Sequence, residues 1–195
     1  MTTTIGLIRH GLTDWNAQQR MQGQTDIPLN KLGREQAEAI AARLAEEEWD
    51  VIVASDLSRA YDTAEAIAKA KGKKVDIVDP RLRELNLGQL EGMTKDERTA
   101  KWGDTYNEQE LGVEDRTHVA DRGEQAIDDV AARYPGQKIL MVSHGGLIRT
   151  TLTRLVPESV QDGPMGNTSL TILHKKEAGW DCKLYNCTSH LSSLR

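Results

Sequence analysis

The chain has 195 residues, of which 38% are hydrophobic and 28% are charged, and its formal net charge is −5. This composition is typical of a globular protein with a sizeable core and excludes a disordered chain. The acidic balance argues against general binding to nucleic acid, and no apolar stretch approaches the roughly 18 residues of a membrane span.

Along the chain, short apolar strands alternate with amphipathic helices. Strands are predicted over about 5–8, 51–54, 75–78, 139–142, 169–173 and 180–185, and helices over about 32–44, 57–71, 120–134 and 147–155. Residues 15–28 are predicted to form a long loop, and 94–116 one or two short helices with a flexible connection. This order predicts an α/β fold over residues 1–195 as one domain: a three-layer sandwich whose central sheet is mostly parallel, with helices on both faces.

Two of the predicted strands run directly into a histidine and a glycine. Arg9, His10 and Gly11 follow the first strand, and His144 and Gly145 follow the strand at 139–142. The carboxyl ends of parallel strands form the edge at which ligands bind in such sheets. We therefore expect the two imidazoles and the Arg9 guanidinium to lie together at this edge.

Two further charged side chains are predicted near the same edge. Arg59 lies at the start of the helix after the second strand, and Glu84 lies in a glycine-bearing loop after the third. Two arginines and two histidines suit a phosphate dianion, because guanidinium groups match phosphate oxygens and stay charged. A neutral histidine can attack phosphorus, and Glu84 can protonate the leaving oxygen. No G-x-x-x-x-G-K-[ST] loop is present, which argues against ATP chemistry.

Six short blocks of residues follow one another in a specific order. They are Arg9-His10-Gly11 with Thr13-Asp14-Trp15-Asn16; Gln22-Gly23 with Asp26, Pro28 and Leu29; Ser55-Asp56-Leu57 through Arg59-Ala60 with Thr63-Ala64; Glu84, Gly88, Glu91 and Gly92; His144-Gly145; and Asn167-Thr168-Ser169. Together these blocks resemble the histidine phosphatase superfamily, which includes the cofactor-dependent phosphoglycerate mutases. The resemblance covers nearly the whole chain, and it implies a phosphoglycerate mutase-like fold.

The resemblance also implies a role for each candidate site residue. His10 would become transiently phosphorylated, His144 would stabilise the phosphoryl group, and Arg9 and Arg59 would bind its oxygens. Glu84 would donate a proton to the leaving group and then activate water. The residues lining the pocket would be Thr13, Asn16, Gln22, Gly23 and Gly145. The side chains of Asn16 and Gln22 could instead close the loop through hydrogen bonds, and Thr13 could take either role. Neither a metal nor an organic cofactor is implied.

These roles predict a cytoplasmic, metal-independent phosphomonoesterase that hydrolyses small phosphorylated metabolites through a phosphohistidine at His10. The main alternative is a phosphoglycerate mutase. The mutases that resemble this chain are longer between the general acid and the second histidine, whereas the connection 92–138 is short here, and Gln22 stands where mutases tend to have Thr or Cys. A non-enzymatic phosphate sensor is disfavoured because every catalytic candidate is present. The Met1-Thr2-Thr3-Thr4 start lacks the features of a signal peptide.

The remaining cysteines and histidines belong to no motif. Cys182 and Cys187 are an odd number of residues apart, which would point them to opposite faces of a strand and disfavours a disulfide between them. Two cysteines also make no zinc framework. His118, His174 and His190 have no partners in the sequence and are predicted to be surface or structural residues.

Overall fold

The computed structural model describes residues 2–194, which form a six-stranded sheet packed between helices. The strands are β1 (Thr4–Arg9), β2 (Val51–Ala54), β3 (Ile77–Val78), β4 (Lys138–Ser143), β5 (Leu170–Lys175) and β6 (Trp180–Cys187). The helices are α1 (Asp14–Ala17), α2 (Lys31–Ala45), α3 (Ser58–Ala70), α4 (Lys95–Trp102), α5 (Arg116–Arg133) and α6 (Gly145–Leu155). Short 3-10 turns lie at Pro80–Leu82, Gly88–Leu90, Tyr106–Glu108, Pro157–Ser159 and Ser189–Leu194.

The strand order is β3-β2-β4-β1-β5-β6. The first four strands pair in parallel, and β5 and β6 add an antiparallel edge next to β1. This arrangement confirms the predicted α/β fold with a mostly parallel sheet. In the register of the two central strands, Arg9 lies opposite Ser143. The next residue on each strand is therefore a histidine, and the two histidines leave the sheet side by side.

The sheet separates two apolar cores. Ile5, Leu7 and Met141 pack on one face with residues of α5 and α6, whereas Ile8 and Val142 pack on the other with residues of α2 and α3. Successive strand residues point to opposite faces, so each central strand contributes to both cores. Burying one Leu or Ile side chain contributes about 1.5–3 kcal/mol. The strand ends that carry the two histidines are thus held by the most buried part of the molecule.

Some element bounds differ from the prediction, each for a local reason. Helix α5 begins at Arg116, earlier than residue 120, because the Asp115 side chain caps it by accepting the N–H groups of Thr117 and His118. Strand β3 is shorter than predicted because the Asp76 carboxylate, rather than a backbone carbonyl, accepts the Ile52 N–H at 2.8 Å. The predicted loop 15–28 contains most of α1, which Thr13 caps.

The two cysteines of β6, Cys182 and Cys187, are free thiols. Within residues 2–194, no helix combines the length and apolar character needed to cross a membrane. The same residues contain no group of three or more His, Cys, Asp or Glu side chains arranged to hold a metal ion.

Candidate active site

The structure brings His10 and His144 together at the carboxyl edge of the sheet, as the sequence predicts. Their ring centroids lie 5.1 Å apart and the ring planes are tilted by 58°. Both residues are buried, with 2% of His10 and 0% of His144 exposed. The parallel pairing of β1 with β4 produces this contact, because it aligns the two residues that precede the histidines.

The hydrogen bonds of His10 determine which ring nitrogen can react. Its Nδ1 lies 2.7 Å from the carbonyl oxygen of Gly11. A carbonyl oxygen only accepts, so Nδ1 carries the hydrogen, and in the neutral ring Nε2 has the free lone pair. The His10 backbone N–H also donates to the Ser143 carbonyl at 2.9 Å. The ring is therefore fixed with Nε2 as its nucleophilic atom.

Burial keeps both imidazoles neutral. It is the largest cause that holds the pKa of His10 and the pKa of His144 well below the ordinary value of 6.5, and the nearby cations Arg9 and Arg59 lower both further. The Nε2 atom of His144 lies 2.9 Å from Ser55 Oγ, which fixes the orientation of its ring. At neutral pH the site therefore holds an unprotonated nucleophile beside a second neutral imidazole.

Arg59 and Arg9 supply the positive charge of the site. Arg59 is fully buried, and its Nη1 and Nη2 donate to the carbonyl oxygens of Thr25 at 2.9 Å and Gly23 at 2.8 Å. Arg9 Nη1 donates to the Met165 carbonyl. Burial lowers the pKa of both arginines while the Glu84 carboxylate raises it, and a guanidinium stays charged at any physiological pH.

Three buried nitrogens of these residues have no hydrogen-bond partner within the described chain: Arg9 Nε, Arg59 Nε and His144 Nδ1. Buried polar groups are nearly always paired, so such a cluster suits an anion that supplies several acceptor oxygens. Helix α6 begins here as well, and a Cβ built on Gly145 would lie 3.2 Å from Arg9 Nε. The positively charged N-terminus of a helix favours a negatively charged ligand nearby. The geometry fits a phosphate group.

The Glu84 carboxylate docks on the start of α6. Its Oε1 accepts the N–H groups of Leu85 at 3.0 Å and Leu147 at 2.9 Å, and its Oε2 accepts that of Gly146 at 3.0 Å. A Cβ on Gly146 would lie 2.6 Å from Glu84 Oε1, so this approach requires a glycine. The carboxylate lies close enough to stabilise the charges of both site arginines. The carboxylate therefore lies beside the guanidinium groups that would bind a phosphate.

Thr13, Asn16 and Gln22 form a hydrogen-bonded cluster at the pocket loop. Thr13 Oγ1 donates to Gln22 Oε1 at 2.7 Å and accepts the Asn16 N–H at 3.1 Å. Asn16 Oδ1 accepts the Thr13 N–H at 3.3 Å. The Thr13 hydroxyl is thus used within the loop, and Asn16 Oδ1 also accepts from Asn167 Nδ2 at 3.5 Å.

Gly23 lies in the same loop with a φ of 55°, in the left-handed region that favours glycine. A Cβ at this position would lie 2.0 Å from Glu91 Oε1. That carboxylate accepts the N–H groups of Gln24 at 2.9 Å, Thr25 at 3.0 Å and Leu87 at 3.1 Å. Glu91 therefore sets the path of the loop whose carbonyls bind Arg59.

Sequence reasoning missed three residues that position the site: Ser55, Glu91 and Arg122. Ser55 and Glu91 belong to the blocks described above, which is the signal that could have found them. Arg122 lies in the middle of α5, where nothing in the local sequence distinguishes it from a surface cation. In the structure its Nη1 donates to the Arg81 and Arg83 carbonyls at 2.6 and 2.5 Å, and its Nη2 donates to the Glu84 carbonyl at 3.0 Å.

Comparison with known proteins identifies relatives of this chain. The model of the histidine phosphatase superfamily (branch 1) matches residues 5–188. A metal-independent phosphoserine phosphatase of Arabidopsis thaliana is 38% identical, over 98% of this chain and 84% of its own length. Phosphoglycerate mutase-like protein 4 of Arabidopsis thaliana is 32% identical, over 96% and 86%. The structure of mycobacterial glucosyl-3-phosphoglycerate phosphatase in complex with VO3 superposes with a TM-score of 0.84 at 34% identity, covering 95% of this chain and 99% of that one.

Proposed function

The chain belongs to the histidine phosphatase superfamily and is a small-molecule phosphatase, and from this premise we propose that it hydrolyses phosphomonoesters through a phosphohistidine at His10. One observation carries the proposal. The Gly11 carbonyl holds the hydrogen on His10 Nδ1, which leaves Nε2 as a buried nucleophile beside the unpaired nitrogens of Arg9, Arg59 and His144.

In the first step, His10 Nε2 forms a bond to phosphorus while the bond from phosphorus to the ester oxygen breaks. Arg9 and Arg59 bind the equatorial oxygens, and His144 stabilises the charge that develops on them. Glu84, when protonated, transfers its proton to the departing oxygen. The alcohol leaves, and the phosphoryl group remains on His10.

In the second step, water attacks the same phosphorus atom and the nitrogen–phosphorus bond breaks. Glu84, now a carboxylate, accepts a proton from the water as its oxygen attacks. Inorganic phosphate leaves, and Glu84 and His10 return to their starting protonation states. Side chains of this chain fill every role in both steps, so the proposal predicts turnover in the presence of a chelator.

The proposed substrates are small phosphorylated metabolites. The names of the relatives support this class, because one is a phosphoserine phosphatase and another a glucosyl-3-phosphoglycerate phosphatase. Another relative is named a phosphoglycerate mutase-like protein, so transfer of the phosphoryl group to a second hydroxyl is the competing outcome. Transfer differs from hydrolysis only in the group that attacks the phosphohistidine, so one assay distinguishes them.

The test measures phosphate release from p-nitrophenyl phosphate in EDTA, for the wild type, His10→Ala and the control His174→Gln. His174 lies opposite Thr4, at the far end of β1 from His10. We expect release from the wild type and the control, none from His10→Ala, and an acid-labile phosphoenzyme after rapid quenching in base. Equal release from His10→Ala would refute the phosphohistidine. Activity on phosphoglycerate that requires a bisphosphoglycerate primer would instead favour the mutase.

The proposed location is the cytoplasm. Two free thiols, Cys182 and Cys187, support it because a reducing compartment keeps cysteines unpaired. Cell fractionation with an antibody to the chain tests this location, and recovery outside the cytoplasmic fraction would contradict it.

A further inference from the structure

The backbone carbonyl of His10 is held by a strained turn at residues 167–168. Asn167 Nδ2 donates to this oxygen at 3.1 Å and the Thr168 N–H donates to it at 3.3 Å. Thr168 has a φ of 53°, a left-handed conformation that is uncommon for a β-branched residue. Such strain persists only where surrounding contacts fix the backbone. The contacts that fix Thr168 therefore also fix His10.

His190, in the final 3-10 turn, provides one of these contacts. Its Nε2 lies 3.0 Å from Thr168 Oγ1, and its Nδ1 lies 3.4 Å from Arg43 Nη1. Thr168 Oγ1 in turn donates to the Asn167 carbonyl at 2.8 Å. This series of hydrogen bonds connects α2, through the C-terminal turn, to the two residues that hold the His10 backbone.

Each hydrogen bond in this series has a defined direction. An arginine only donates, so His190 Nδ1 accepts and His190 Nε2 carries the hydrogen. That hydrogen is donated to Thr168 Oγ1, whose own hydrogen is then free for Asn167. Burial, aided by the neighbouring Arg43 charge, lowers the pKa of His190 to about 4, so the ring is neutral at neutral pH.

We propose that His190 is a positioning residue for the nucleophile: through Thr168 and Asn167 it fixes the backbone of His10 and thereby the direction of His10 Nε2. This inference rests on the proposed function, in which Nε2 attacks phosphorus. His190 forms no hydrogen bond with Arg9 or Arg59, the two arginines of the proposed phosphate site, within the described residues. Its loss should therefore slow the phosphorylation of His10 and leave phosphate binding unchanged.

The experiment compares the wild type, His190→Ala, His190→Gln and the control His174→Gln. Rapid mixing with p-nitrophenyl phosphate measures the burst of nitrophenol that accompanies phosphorylation of His10. Competition measures the inhibition constant of inorganic phosphate, and thermal melting measures stability. We expect His190→Ala to slow the burst about tenfold, since misplacing a reacting group by 1 Å can cost about 100-fold. The inhibition constant of inorganic phosphate should stay within about twofold of the wild-type value. His190→Gln, which keeps an N–H donor, should restore most of the burst rate.

A second pair of variants covers the case in which His190→Ala does not fold. Thr168→Ser keeps the hydroxyl and should keep the burst rate, whereas Thr168→Ala should lose it to the same extent as His190→Ala. An unchanged burst in His190→Ala, or in Thr168→Ala if His190→Ala does not fold, would overturn the inference and leave the proposed function intact. A parallel rise in the phosphate constant would overturn it too, because it would show a general loosening of the site. Absence of turnover in the wild type would overturn the proposed function and this inference together.

Discussion

His10 and His144 lie with their ring centroids 5.1 Å apart inside the protein, and each faces the charges of Arg9 and Arg59. A proton on either imidazole would be poorly solvated and would lie close to two guanidinium cations. The folded state therefore favours two neutral rings, and this preference connects the chemistry of the site to the stability of the fold.

The free energy of unfolding should fall as the pH drops below 6.5. In that range the unfolded chain protonates His10, His144 and His190 while the folded chain does not, because the pKa of each is lowered in the fold. The unfolded state therefore binds more protons, and stability decreases with acidity. The slope should be about 1.4 kcal/mol per pH unit for each histidine. Urea unfolding between pH 7.5 and 5.5 measures this slope. A His144→Gln variant should show a shallower one, and an identical slope would contradict the lowered pKa of His144.

Glu84→Gln should affect substrates according to their leaving groups. A nitrophenolate leaves without a proton, whereas an alkoxide requires one, so phosphorylation by p-nitrophenyl phosphate should change little. Phosphorylation by phosphoserine should slow about 10²- to 10⁴-fold. The phosphoenzyme should also accumulate, because the same residue activates water in the second step. Quench experiments with both substrates measure these rates, and an equal loss for the two would argue against Glu84 as the general acid.

Gly23→Ala should cost both stability and activity, while Gly72→Ala should cost stability alone. Both glycines have positive φ, 55° for Gly23 and 62° for Gly72. An added Cβ meets Glu91 at position 23 and nothing within 4 Å at position 72. The conformational cost is about 1–2 kcal/mol at each site. Urea unfolding and phosphate release measure the two effects, and full activity in Gly23→Ala would show that Glu91 does not control the pocket loop.

Arg122→Lys should reduce kcat, because an ammonium group cannot replace the fork that reaches three carbonyl oxygens. The matched control is Arg154→Lys, which alters an exposed ion pair with Asp121 and Glu124 between α5 and α6. Such a pair is worth about 0–1 kcal/mol. Steady-state kinetics on phosphoserine measure both variants. Equal kcat values for the two would show that Arg122 does not position the Glu84 loop.

The sequence predicts the architecture well because the buried strands are short apolar runs that end in distinctive residues. His10 and His144 are placed correctly from this pattern alone, since parallel strands bring their carboxyl ends to one edge. The first residue of a helix or strand is predicted less well where a side chain, rather than a backbone carbonyl, accepts the backbone N–H hydrogen bond there. Asp115 extends α5 in this way, and Asp76 shortens β3.

The supporting contacts of the site are not predictable from local pattern. Arg122 and His190 each bind backbone or hydroxyl groups that are distant in sequence, and such contacts leave no periodicity or spacing to detect. The role of the Thr13 hydroxyl is also not predictable from the sequence, although its partners are close along the chain. Its residue type suits a ligand contact and a helix cap equally, and the structure uses it as the cap.

The central pairing of β1 with β4 joins residues 4–9 to residues 138–143, and β5 at 170–175 covers the other edge of β1. Contacts between such distant segments form late, because the intervening chain must first lose conformational freedom. A growing chain that ends before residue 138 contains His10 but lacks the strand that buries it. We therefore expect catalytic activity to return during refolding only when β4 has paired with β1.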